Sequence, residues 1–201
     1  MADRKLHLRP GSLVVLEGLD RAGKTTQQQK LANLDWATPA PLFTHMPSGL
    51  TGVTEQIYAL TETTEITSAL ARQFLHLACH AENITALSEA RRERGIVLDR
   101  WWWSTVAYGW YGANLRDLGV DEQAFFGLIK SVWVDLPADL IFLFASPFED
   151  DEKNHDQVLR GYAELARRHD SMTIEVPVND EQATSAFLIE QLISRRLVNR
   201  D

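Results

Sequence analysis

Residues 13–34 read LVVLEGLDRAGKTTQQQKLANL, and within them Gly18 to Thr25 satisfies the spacing G-x-x-x-x-G-K-[ST]. The apolar, β-branched run before Gly18 predicts a buried strand, and the residues after Gly23 predict a helix. Strand, tight loop and helix in that order are the context in which this spacing binds phosphate. Backbone N–H groups must converge on phosphate oxygens, and a side chain at either glycine would obstruct the loop or the ligand. Gly18, Ala22, Gly23, Lys24, Thr25 and Thr26 are therefore expected to cradle a nucleotide's phosphates. Lys24 bridges the terminal ones, the Thr25 hydroxyl reaches Mg²⁺, and the start of the helix offers its positive dipole end. Arg21 inside the loop is placed to stabilise charge on a transferring phosphoryl group. Asp20 is expected either to position that arginine or to accept a hydrogen bond from a sugar hydroxyl.

Outward from this loop the chain alternates strands and helices. PLFTHM (41–46), GIVLD (95–99), DLIFLFA (139–145) and MTIEVPV (172–178) predict further strands. A stretch free of Pro and Gly from Glu65 to Arg94, with Ile66, Leu70, Phe74, Leu77, Ala78 and Ala81 as its apolar positions, predicts one long helix. The expected architecture is a single α/β domain over 1–201: a P-loop NTPase fold with a five-stranded, mostly parallel sheet and helices on both faces. An acidic segment near 147–156, containing FEDDEKNHD, is expected to be a short lid loop.

Composition narrows the partners. The 201 residues are 45% hydrophobic and 24% charged, which excludes disordered and fibrous classes. A net charge of −8 disfavours a nucleic-acid polymer as ligand. A single cysteine, Cys79, allows no internal disulfide. Neither the opening MADRKLHLRPG nor any internal run has the pattern of a signal peptide or membrane span, so no membrane association and a cytoplasmic address are expected.

A second segment, VLDRWWWSTVAY (97–108), ends a strand in Asp99, where a carboxylate can assist Thr25 with Mg²⁺ through water. Arg100 beside it points a fork of donors at a phosphate. Ser104 and Tyr108 follow on a helix, and at least one of Trp101, Trp102 and Trp103 must be buried there.

Together, VVLEGLDRAGKTTQ and VLDRWWWSTVAY resemble the thymidylate kinase family of nucleoside monophosphate kinases, with a weaker echo in GYAELA (161–166). The resemblance implies transfer of the γ-phosphoryl group of Mg-ATP to the 5′-phosphate of dTMP or a related pyrimidine deoxynucleotide. It assigns Arg21, Lys24, Arg100 and Asp20 to catalysis, Asp20 to the acceptor's sugar, and Tyr108 and Arg100 to the acceptor site. The arginine within the loop and a lid without arginine match one branch of the family, and a homodimer through the long helix is implied by resemblance alone.

Three departures stand out against that family. His45 and Met46 precede Pro47 where an arginine usually meets the acceptor phosphate. His76 and His80 take the places of an aromatic and an arginine that read thymine, so both imidazoles are expected to line one pocket. Lys153 alone stands near the family's adenine-contacting arginine. His76 and His80 also have the spacing of metal ligands, and the resemblance puts His45 on a neighbouring loop, so the three histidines are a candidate metal set. Other readings of the changed pocket are a kinase for a modified nucleoside or another hydroxyl acceptor, and a nucleotide-binding sensor without turnover.

Overall fold

A computed structural model describes residues 5–200. The first four residues of the opening stretch and Asp201 lie outside the described residues, and with them part of the basis for reading the start of the chain. In chain order the elements begin with β1 (Leu6–Leu8), β2 (Leu13–Gly18), α1 (Lys24–Ala32), β3 (Leu42–His45), α2 (Gly52–Thr63), α3 (Ala69–Glu93) and β4 (Ile96–Asp99). A short α4 (Trp102–Thr105) then runs into a π-helical segment, Val106–Gly112. After it come α5 (Glu122–Trp133), β5 (Leu140–Phe144), α6 (Asp156–Arg168), β6 (Thr173–Glu175), α7 (Glu181–Ser194) and β7 (Val198–Arg200).

Five strands form one parallel sheet in the order β3-β4-β2-β5-β6. β2, β4 and β5 are buried along their whole length, which is why they are nearly continuous apolar runs rather than alternating ones. Helices pack around the sheet, α1 against α7 and α3 against α4 and α5. The register aligns Leu16 and His45 with Asp99, so β3 and β4 end level with each other and β2 runs two residues farther, to Gly18, at the carboxyl edge of the sheet. Ligands of open α/β sheets bind at that edge.

Two features were not anticipated. β1 and β7 form a separate antiparallel pair near the two ends of the described chain, with Leu8 opposite Val198. Three residues per strand carry too little alternation to be read from sequence. The glycine-bearing segment after Pro47 leads into α2, which starts on a Thr51–Thr54 capping box.

α3 corrects the expected helix face. It starts at Ala69 on a Ser68 cap, so Ile66 precedes it, and Phe74 is 52% exposed. Its buried positions are Gln73, Cys79, His80, Asn83 and Leu87. Most are polar because this face borders the cleft and the loop at Pro47, where Asn83 Nδ2 donates to the Pro47 carbonyl at 2.8 Å. No helix among the described residues is long and apolar enough to cross a membrane.

Candidate active site

The phosphate loop depends on a close approach at Gly18. Its φ is +129°, and a Cβ there would lie 2.1 Å from the Phe144 carbonyl oxygen of β5. Only glycine lets β2 turn while lying against β5. Gly23, at φ +89°, begins α1 without any side-chain cap, leaving the helix's first N–H groups for a ligand.

Lys24 is buried, and its Nζ donates to the Leu19 carbonyl inside the loop. Burial lowers its pKa, opposed by the charges of Asp99 and Glu17. Thr25 Oγ1 donates to Asp99 Oδ2 at 2.5 Å, while Asp99 Oδ1 is buried with no partner. A hydroxyl beside a carboxylate with a free oxygen, at the mouth of a phosphate loop, is a donor set suited to Mg²⁺. Ala22, Gly23 and Thr26 line a cavity of about 300 Å³ on one side of the loop, closed by Phe148 and Val176 to Thr184.

On the other side of the loop lies a larger cleft of about 650 Å³, bordered by Asp20, His45, Gln73, His76, Arg100 and Tyr108 among others. Arg100, at φ +71°, forms an ion pair with Asp20 and donates to Ser104 Oγ at 2.9 Å. Asp20 thus holds Arg100 and not Arg21, as one sequence reading had it. Arg21 instead reaches the lid, with Nη1 2.9 Å from Glu149 and Nε 3.2 Å from Asp151. The Tyr108 hydroxyl accepts from the Asp20 N–H at 3.0 Å and donates to Asn154 Oδ1 at 3.0 Å, tying the base of the lid to the loop.

The histidines separate. His45 Nδ1 lies 2.9 Å from Ser48 Oγ, and the ring meets Tyr58 edge-on. His76 borders the cleft, its pKa lowered by burial and by Arg72. His80 is 1% exposed, its Nε2 2.9 Å from Thr105 Oγ1 and its ring edge-on to Trp133. The expectation that His76 and His80 line one pocket is therefore corrected: α3 turns the second imidazole into the α4–α5 packing. Among the described residues no group of three or more His, Cys, Asp or Glu gathers as a metal site, so the three-histidine reading falls too. Lys153 borders the larger cleft with Asp20 and Arg100, and does not line the smaller cavity beside Phe148. Trp101 and Trp103 are buried, and Trp101 also borders the cleft.

Burial pushes the His80 pKa down to about 3, from an ordinary value of 6.5. The unfolded chain therefore takes up a proton at His80 that the folded chain refuses. The associated stability is complete above pH 6.5 and is lost as pH falls toward 3, by up to about 1.4 kcal/mol per pH unit. Thermal melts from pH 7 to pH 4 should show a shallower decline for His80→Gln than for the parent chain. Equal slopes would show that His80 does not carry this acid sensitivity.

Several residues that organise the site were missed in sequence. Glu17, fully buried, accepts from the Trp101 N–H at 2.7 Å, the Ser104 N–H at 3.0 Å and the Ser104 hydroxyl at 2.7 Å. It anchors the turn that carries Arg100. Burial raises its pKa against the opposing Ser104 hydrogen bond and the Arg100 charge. Tyr162 of α6 adds its hydroxyl to this network, 3.1 Å from the Gly18 carbonyl. A lone carboxylate ending an apolar strand was the available signal for Glu17; Asn154 and Gln73 carried none.

Two cavities thus border one phosphate loop, one lined by Ala22, Gly23 and Thr26 and the other by Asp20 and Arg100. A family model described as "Thymidylate kinase" matches residues 16–154. The thymidylate kinase of Prochlorococcus marinus strain MIT 9313 is 29% identical over 201 residues, covering 88% of this chain and 92% of that protein. The corresponding figures for the thymidylate kinase of Aliarcobacter butzleri strain RM4018 are 31% over 153 residues, 74% and 75%. In fold, the crystal structure of thymidylate kinase from Ehrlichia chaffeensis superposes with a TM-score of 0.76 at 22% identity, covering 90% of this chain and 98% of that one.

Proposed function

The chain belongs to the thymidylate kinase family, and on that premise we propose that it transfers the γ-phosphoryl group of ATP to the 5′-phosphate of dTMP or a closely related pyrimidine deoxynucleotide. The observation that carries the proposal is the placement of two cavities on opposite sides of one phosphate loop. A donor on the Phe148 side and an acceptor on the Tyr108 side would meet at Lys24 and Arg21.

An oxygen of the acceptor's phosphate attacks the γ-phosphorus, the bond from that phosphorus to the β,γ-bridging oxygen breaks, and ADP leaves. The acceptor is already an anion, so no general base is required; alignment and charge neutralisation dominate. In this assignment Gly18, Ala22, Gly23 and Thr26 form the cradle, and Lys24 holds the donor's terminal phosphates. Arg100, fixed by Asp20 and Ser104, meets the acceptor's phosphate. Thr25 and Asp99 would hold the Mg²⁺ that accompanies ATP and, when bound, offsets charge on its β- and γ-phosphates. Asp20 keeps one face toward the cleft for a sugar hydroxyl. The homodimer that the resemblance implies and the cytoplasmic address expected from the sequence pattern belong to the same proposal, and sedimentation of the purified chain tests the dimer.

Purified protein incubated with Mg-ATP and a panel of nucleoside monophosphates should convert dTMP to its diphosphate with stoichiometric ADP. ATP binding without phosphorylation of any monophosphate would overturn the proposal and favour a sensor or an unusual acceptor.

A further inference from the structure

Among the polar groups of the acceptor-side cleft that neither the resemblance nor the sequence reading assigns, Gln73 stands apart. Gln73 on α3 borders the cleft one helical turn before His76, is 5% exposed, and leaves its Oε1 buried with no hydrogen-bond partner. Its amide packs on Gly109 of the π-helical segment, where an added Cβ would lie 2.2 Å from Gln73 Cδ. The segment therefore makes room for this carboxamide by omitting a side chain. An unsatisfied amide oxygen in so enclosed a place is costly unless something supplies the missing partner.

We propose that Gln73 is the residue that reads the acceptor's base, and that it admits both 4-oxo and 4-amino pyrimidine monophosphates. This rests on the kinase reading above. A carboxamide presents one acceptor and two donors in a plane. Thymine or uracil offers N3–H beside O4, which the Gln73 oxygen and nitrogen can meet as a pair. Cytosine offers N3 beside the N4 amino group, and a half-turn of the amide meets that edge equally well. A guanidinium only donates and distinguishes the two bases; the carboxamide does not. His80, at the position of the base-reading arginine, is buried against Thr105 and Trp133 and cannot enforce the distinction.

Binding of dTMP and dCMP to the full chain by calorimetry, together with Mg-ATP-dependent turnover, tests the proposal in the parent and in Gln73→Met. The parent should bind the two nucleotides within about tenfold of each other. Gln73→Met should weaken both by about 10- to 100-fold while the KM for ATP changes less than twofold. Gly109→Ala, which crowds the same amide, should reproduce the loss in part. Thermal melts confirm that each variant folds. A preference beyond tenfold for one base in the parent, or unchanged binding in Gln73→Met, overturns the assignment. Binding that depends on Gln73 without any phosphoryl transfer would uphold it while overturning the kinase reading, and a chain that binds neither nucleotide would overturn both.

Discussion

Arg21→Ala is expected to lower kcat about 10³-fold, while KM for ATP and for the acceptor stays within about threefold. The reason lies in where the guanidinium spends its charge. It is more than half exposed and paired with two lid carboxylates, Glu149 and Asp151, so it is already compensated before any phosphoryl group moves. Exchanging those carboxylates for a ground-state phosphate gains little, because exposed pairs are worth about 0–1 kcal/mol. Charge spreading over the transferring oxygens shifts the exchange in favour of the phosphoryl group, and an interaction made chiefly in the transition state appears in kcat. Arg21→Lys keeps the charge without the fork and should recover only part of the rate. Steady-state kinetics on dTMP and ATP decide the matter: a kcat within tenfold of the parent would remove Arg21 from the reaction. The double variant Glu149→Gln with Asp151→Asn should keep kcat at or above the parent value. A large fall there would show that the lid carboxylates aim the arginine and do not merely compete for it.

Lys24→Met carries the second large effect, in both activity and stability. The buried ammonium lies in the field of two buried carboxylates, Asp99 and Glu17, which oppose the lowering of its pKa by burial. Removing it takes a fixed positive charge from the donor's terminal phosphates, and kcat/KM for ATP should fall at least about 10³-fold. It also leaves the carboxylates less compensated in a low-dielectric interior, which should cost about 1–3 kcal/mol of stability. A chain of this size would then melt several degrees lower, at about 2–4 °C per kcal/mol. Raising Mg-ATP should not restore the rate, because the lost interaction acts on the reacting phosphates as well as on binding. Parent-like kcat at saturating Mg-ATP would refute the role, whatever the melting temperature shows.

The contrast between these two cations follows from their surroundings. Arg21 works from an exposed, left-handed position that backbone geometry tolerates only where the loop is held by its neighbours, with φ +57° and the Phe148 N–H donating to its carbonyl at 3.0 Å. Lys24 works from the interior, where every charge is felt at short range. The lid therefore bears on Arg21 and leaves Lys24 nearly untouched. Tyr108 and Asn154 hold the lid's base to the Asp20 backbone.

The amino-acid sequence by itself determined the phosphate loop and the sheet that carries it. Both are local: the loop's chemistry lies in eight consecutive residues, and strands buried on both faces announce themselves as short apolar runs between helices. It also placed Asp99 and Arg100 at a strand's end beside the ligand edge. Tertiary structure alone decided which side chains face the cleft. The long helix exposes Phe74 and buries Gln73, because its inner face meets polar groups of the acceptor side and not only the apolar core. His76 and His80, four residues apart, diverge because the α4–α5 packing claims the second ring. Asp20 chose Arg100 over its neighbour Arg21, and Glu17 found its donors 84 and 87 residues along the chain. Partners so distant in sequence leave no periodic mark within it, since helical and strand periodicities report which positions share a face but not what that face will meet.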